Sequence, residues 1–219
     1  MGFWGFWVIS IIEMTTLLLA MFALFRYSIT YLVRPVLFFS TLLSVVSYLL
    51  FIVYESPFAP WIQISITILF LWLVLEVPLI YSALMPILYT AIYSVVQGIL
   101  FWVAGTFFVD IEVLQDASSW QVYVLQLITS IFNLLIMYTC SKKNIGFTFV
   151  PTDRIGRLEW SINNLKLAIG MVIAAVVMIT SFYFYHTYSN KMLWLVIFIS
   201  VNVAVILLWF SYRREHHDD

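Results

Sequence analysis

From Phe3 to Phe25 the chain has no proline and a single charged residue, Glu13, near the middle of the run. Few folded forms are open to such a stretch. About 20 apolar residues in a helix cross roughly 30 Å of hydrocarbon, and a helix satisfies its own backbone polar groups where no water can. Similar runs recur along all 219 residues, which are 64% apolar and only 10% charged. Soluble domains are about a quarter charged, so lipid is the expected solvent for most of this surface. The expected fold is all-α: a polytopic bundle of transmembrane helices in an integral membrane protein.

Seven spans are expected, at about 4–25, 36–54, 61–76, 79–104, 120–140, 167–185 and 192–212. Arg34 and Pro35 precede the second. The segment Glu55 to Pro60 is a turn, because its prolines withhold backbone hydrogen bonds from a helix. Glu76 and Pro78 mark the break between the third and fourth. The first run is long enough to span and lacks a positive n-region, so it reads as a helix and not as a signal peptide. Phe6 stands where a myristoylation signal needs Ser or Thr, so Gly2 is not expected to be acylated.

Short cytoplasmic loops collect Lys and Arg. With the N-terminus outside, the inner side receives Arg26, Arg34, Lys142, Lys143, Arg154, Arg157, Lys166, Arg213 and Arg214, and the outer side only Lys191, which accounts for all 10 basic residues. Merging the third and fourth spans would put the basic 141–166 loop outside. The expected topology is therefore N-out and C-in, with 213–219 a cytoplasmic tail. Within the loop, Pro151, Thr152 and Asp153 offer helix-start chemistry. Ile155, Leu158, Trp160, Ile162 and Leu165 follow among Arg154, Arg157 and Lys166, a spacing that suits a short amphipathic helix on the inner leaflet. The outer face is acidic and aromatic, with Glu55, Trp61, Asp110, Glu112, Asp116 and Trp120; the tryptophans also suit interfacial anchoring.

Catalysis has little to stand on. The longest stretch outside the spans is below the ~40 residues at which a soluble domain can usually stand unaided, and no phosphate loop, nucleophile elbow or metal-ligand pair is legible. The topology separates Cys140 from His186 by about a bilayer, near 30 Å, too far for a nucleophile–base pair. His216 and His217 read as part of a solvated tail. Cys140 is the only cysteine, so no intrachain disulfide can form. Neither an enzyme, a cofactor nor a metal is expected, and a net charge of −1 gives no reason to expect nucleic acid.

The membrane interior carries more information. An ionisable group at mid-bilayer costs about 2.5–3.5 kcal/mol on insertion scales and marks function by default. No Lys or Arg lies at the depth of Glu13. Its carboxyl must be protonated, hydrogen-bonded to neutral polar groups, or facing a wet cavity. The expected partners are Gln97, Asn133 and Asn202 on other spans, forming with Glu13 an intramembrane polar network. Such a network either fixes helix register or serves a ligand.

The inner segment from Lys142 to Pro151, followed by two helices and the basic exit Tyr212, Arg213 and Arg214, resembles the membrane sensor region of peptide-pheromone-sensing histidine kinases of the accessory gene regulator type. The resemblance covers the chain in layout and implies a bacterial cell membrane. It also implies an extracellular peptide bound at the outer mouth, by helix ends and the 106–119 loop, and a signal passed through the last helix to a cytoplasmic kinase domain or regulator. A homodimer is a further expected partner beside the lipid bilayer. The 219 residues themselves hold no phosphoacceptor or ATP-binding region, so this chain is expected to phosphorylate nothing by itself. Two alternatives compete: a small transporter or substrate-capture subunit using the midplane polar site, and a membrane assembly protein that binds no ligand.

Overall fold

The computed structural model describes residues 3–109, 113–114, 119–150, 162–188 and 193–215. Among them the secondary structure is helical throughout: α1 (Phe3–Leu24), α2 (Ile29–Tyr48), α3 (Ala59–Leu73), α4 (Leu79–Phe107), α5 (Trp120–Lys143), α6 (Ile162–Tyr188) and α7 (Leu193–Glu215). Five are long and apolar enough to cross a membrane: α1, α2 with its extension to Val53, α4, α5, and α7 from Trp194. The apolar helix α3 has 15 residues, about 22 Å at 1.5 Å per residue, and the apolar stretch Ala168–Ser181 within α6 is also shorter.

Several expected boundaries move. The second helix begins at Ile29 and carries Pro35 inside it, where a start at about Val36 was expected. Pro35 is the seventh residue, past the first turn, so the helix carries it at the loss of one interior hydrogen bond; Ser28 in extended conformation opens the run. At its far end α2 widens into a π-helical turn, Leu49–Val53. The sixth helix begins at Ile162, so Ile162 and Leu165 belong to it and not to a separate loop helix. The rest of that expected amphipathic segment, 151–161, lies outside the described residues, as do Lys191 and the tail from 216.

Polar residues end the helices by a shared device. Arg26 (φ 52°) and Asn144 (φ 50°) adopt left-handed conformation just past α1 and α5. Tyr27 N–H donates to Phe22 O at 3.0 Å and Ile145 N–H to Cys140 O at 3.1 Å, closing the last turns as Schellman motifs do. Glu55 (φ 45°) and Glu76 (φ 56°) mark the ends of the α2 extension and α3 in the same way.

Contacts between helix ends fix the packing. At one end Phe3 and Phe6 meet Tyr48, Phe6 meets Tyr123, and Trp102 meets Trp194. At the other, Phe147 N–H donates to Leu24 O at 2.9 Å, Arg26 to Asn144 O, and Arg214 to the Tyr81 hydroxyl. Helix α1 thus runs parallel to α5 and antiparallel to α2, and α7 lies antiparallel along α4. About one turn in from Trp102–Trp194, Gly98 lets Ile197 approach closely: a Cβ there would sit 2.7 Å from Ile197 Cγ1. The core holds Leu18, Met21, Phe22, Leu71, Leu84, Leu88 and Leu207, and Phe39 stacks on Phe70 at 3.9 Å. Helices in lipid gain little from hydrophobic transfer against one another, so dispersion contacts and hydrogen bonds of this kind must hold the bundle.

Candidate functional site

Tyr89, Tyr93 and Gln97 follow one another at four-residue spacing on α4, which sets them on one helix face. That face meets α1 and α5. The Tyr93 hydroxyl donates to Glu13 Oε1 on α1, and the Tyr89 hydroxyl donates to Asn133 Oδ1 on α5 at 2.8 Å. Tyr89 is fully buried, and Glu13 and Asn133 are nearly so. Glu13 is ten residues into α1, about 15 Å from its start, and Tyr93 sits at the middle of α4. Thr16 closes the local arrangement by donating to the Glu13 carbonyl at 3.0 Å.

A cavity of about 680 Å³ opens on this cluster. Its walls come from α1, α2, α3, α4 and α5. Glu13, Tyr93, Gln97, Gln63 and Gln126 line it among apolar groups such as Phe6, Leu17 and Phe51. Towards the end where α2 passes into α3, the lining continues through Glu55, Ser56, Pro57 and Pro60. The Pro86 ring lines the deep part. Two wall atoms, Gln63 Nε2 and Gln126 Oε1, are buried without a hydrogen-bond partner among the described residues, which natural interiors rarely tolerate. The volume lies within the ~300–1,000 Å³ typical of small-molecule sites, and an apolar wall with few polar groups is their usual composition.

The expected network is regrouped. Glu13 and Gln97 share the cavity, but the direct partner of Glu13 is Tyr93, and Asn133 bonds Tyr89. Asn202 does not join them. It is exposed on α7, donates to Phe198 O of its own helix at 2.7 Å, and lines a second, almost wholly apolar groove between α6 and α7. The two tyrosines escaped the sequence reading because tyrosine is ordinary in a membrane helix. Their four-residue spacing with Gln97 was the available signal.

Of the residues expected on the outer face, Glu55 lines the cavity. Trp61 is half-buried against the core, and its indole N–H lacks a partner among the described residues. Trp120 is exposed at the start of α5. Asp110, Glu112 and Asp116 lie outside the described residues.

The opposite end holds a second constellation. Glu215, the last residue of α7, accepts from the backbone N–H of Thr148 at 2.8 Å and of Phe149 at 3.3 Å, and also from the Thr148 hydroxyl. Arg214 lies 5.0 Å from both the Tyr81 and Phe149 ring centroids, and Arg213 lies over Trp209 at 5.4 Å. Tyr212 is exposed. Charged acceptors make the stronger hydrogen bonds, so the end of α7 is fastened to the segment after α5.

No known protein family matches the chain, and no curated protein or solved structure is similar to it.

Proposed function

We propose that the chain is a membrane receptor region that takes an extracellular ligand, a short hydrophobic peptide, into the Glu13 cavity and passes the event on through α7. The observation that carries this reading is the cavity itself: it joins an acidic rim at Glu55 to a carboxyl at mid-helix, inside a bundle whose other end is basic. The described lysines and arginines, Arg26, Arg34, Lys142, Lys143, Lys166, Arg213 and Arg214, all belong to that other end. The positive-inside rule then makes it cytoplasmic, with seven spans, the N-terminus outside and the cavity mouth facing out. The resemblance to peptide-pheromone sensors implies the same arrangement.

Output follows from packing. Helix α7 does not line the cavity but lies along α4, one of its walls, from Trp102–Trp194 through Gly98–Ile197 to Tyr81–Arg214. A ligand that prefers one placement of α4 biases α7 by its differential affinity for the two arrangements. The clasp of Arg214 and Glu215 is where that bias reaches a cytoplasmic kinase domain or regulator. One observation favours transport as the second reading: Pro86 removes a backbone hydrogen bond from α4 inside the cavity wall, and transporters place broken helices at such sites.

Photo-crosslinking tests the receptor reading. A benzoylphenylalanine replacing Gln97 is expected to capture biotinylated hydrophobic peptides added outside, and the same group replacing Val205, exposed on α7, is not. Equal capture at both positions would mean simple partition into lipid and would sink the reading. Peptide flux into proteoliposomes, reduced by Glu13→Gln, would move the assignment to transport.

A further inference from the structure

We infer that the Glu13 cavity binds a protonated organic amine carried on an apolar body, with the Glu13 carboxylate as its counter-ion. This rests on the cavity being a ligand site, as proposed above, and adds the chemistry of what enters it.

Among the described residues, the lining contains two carboxyl groups, Glu55 and Glu13, and no lysine, arginine or histidine. Among the described residues the only hydrogen bond to the Glu13 carboxyl is Tyr93's, at Oε1, which leaves Oε2 for a ligand. A buried carboxylate without a cationic partner is costly, and a cation within hydrogen-bond distance offsets part of that cost. Among the described residues no lysine or arginine supplies such a cation: they sit at the far end of the bundle. An ammonium group from outside supplies it.

Three further features point to the same ligand. Glu55 at the rim attracts cations to the mouth and disfavours anions. The amides of Gln63, Gln97 and Gln126 and the hydroxyls of Thr90 and Ser94 offer neutral acceptors along the way. The remaining wall is mainly apolar, with the Phe6, Phe51 and Tyr93 rings and several aliphatic side chains, so the rest of the ligand is hydrocarbon or aromatic. Aromatic faces also favour a cation passing close to them. The ammonium could come from a free ligand or from an aminophospholipid headgroup, and the two are separable.

The test uses the full chain in dodecyl maltoside, with three probes of one skeleton: 2-phenylethylamine, 2-phenylethanol and 3-phenylpropionate. Apparent Kd values come from the concentration dependence of the unfolding temperature. The amine is expected to bind at least about 10-fold more tightly than the alcohol, with the carboxylate weakest. Glu13→Gln should erase the amine's advantage, and Glu55→Gln should reduce it. If Glu13→Gln does not fold, the order of the three probes on the wild-type chain still decides. Competition by added phosphatidylethanolamine supports the cation site and assigns its source to lipid; absence of competition assigns a free ligand. Equal binding of amine and alcohol, or preference for the carboxylate, overturns the cation assignment and leaves the cavity as a ligand site. No shift with any probe overturns both.

Discussion

Gly146→Ala is expected to destabilise the folded bundle by at least about 3 kcal/mol, measured as unfolding in mixed micelles of dodecyl maltoside and SDS. Gly146 has φ +146°, a conformation L side chains rarely adopt, and a Cβ there would lie 2.4 Å from the Leu24 carbonyl oxygen. That oxygen cannot step aside. It belongs to the last turn of α1 and already accepts from Phe147 N–H at 2.9 Å. Relief requires the 144–150 segment to lift off α1. Lifting it withdraws Phe147 from Phe25, Phe149 from Tyr81, and the Thr148 and Phe149 amides from Glu215. One methyl group therefore strikes the packing of α1, α4 and α7 together. A change within about 0.5 kcal/mol, the usual range for surface sites, would contradict the tucked segment.

The second large effect belongs to the Glu13–Tyr93 pair. Tyr93→Phe leaves the carboxyl without its donor, and Glu13→Leu leaves a phenol without its acceptor. Each single change is expected to cost about 1–3 kcal/mol, the price of an unsatisfied buried polar group. The double variant removes both partners and should fall well short of the sum, with a coupling of about 1–2 kcal/mol. Strict additivity in the same mixed-micelle unfolding would mean the two groups do not act on each other.

The helical membrane class was readable because it depends on run length and composition, which are local. The break between α3 and α4 was readable for the same reason, through Glu76 and Pro78. Boundaries were less so. Pro35 looks like a start signal, yet α2 passes through it from Ile29 with one interior backbone hydrogen bond missing.

Glu13 stood out as a lone charge in an apolar run. Its partner did not, since which helix meets α1 at that depth is a tertiary fact. Amides stand out because they are unusual in lipid, whereas the partner the structure uses, Tyr93, is an ordinary membrane-helix residue. Asn202 shows the converse. A mid-span amide looks like a network member, yet it bonds its own helix at Phe198 O. Gly146 sat inside the segment that carried the family resemblance, but its close approach to Leu24 joins residues far apart in sequence and left no local trace.

The central claim is that the space around Glu13 is reached from the side carrying Glu55. A cysteine at Gln97, with Cys140 replaced by serine, tests it most directly when a membrane-impermeant maleimide is applied to one face of sealed membranes at a time. Gln97 lines the cavity ten residues inside the end of α4, about 15 Å deep. Rapid labelling from the Glu55 face, with no labelling of a Val205→Cys control, is the predicted result. Labelling of Gln97→Cys only from the face carrying Arg213, or from neither face, would contradict it.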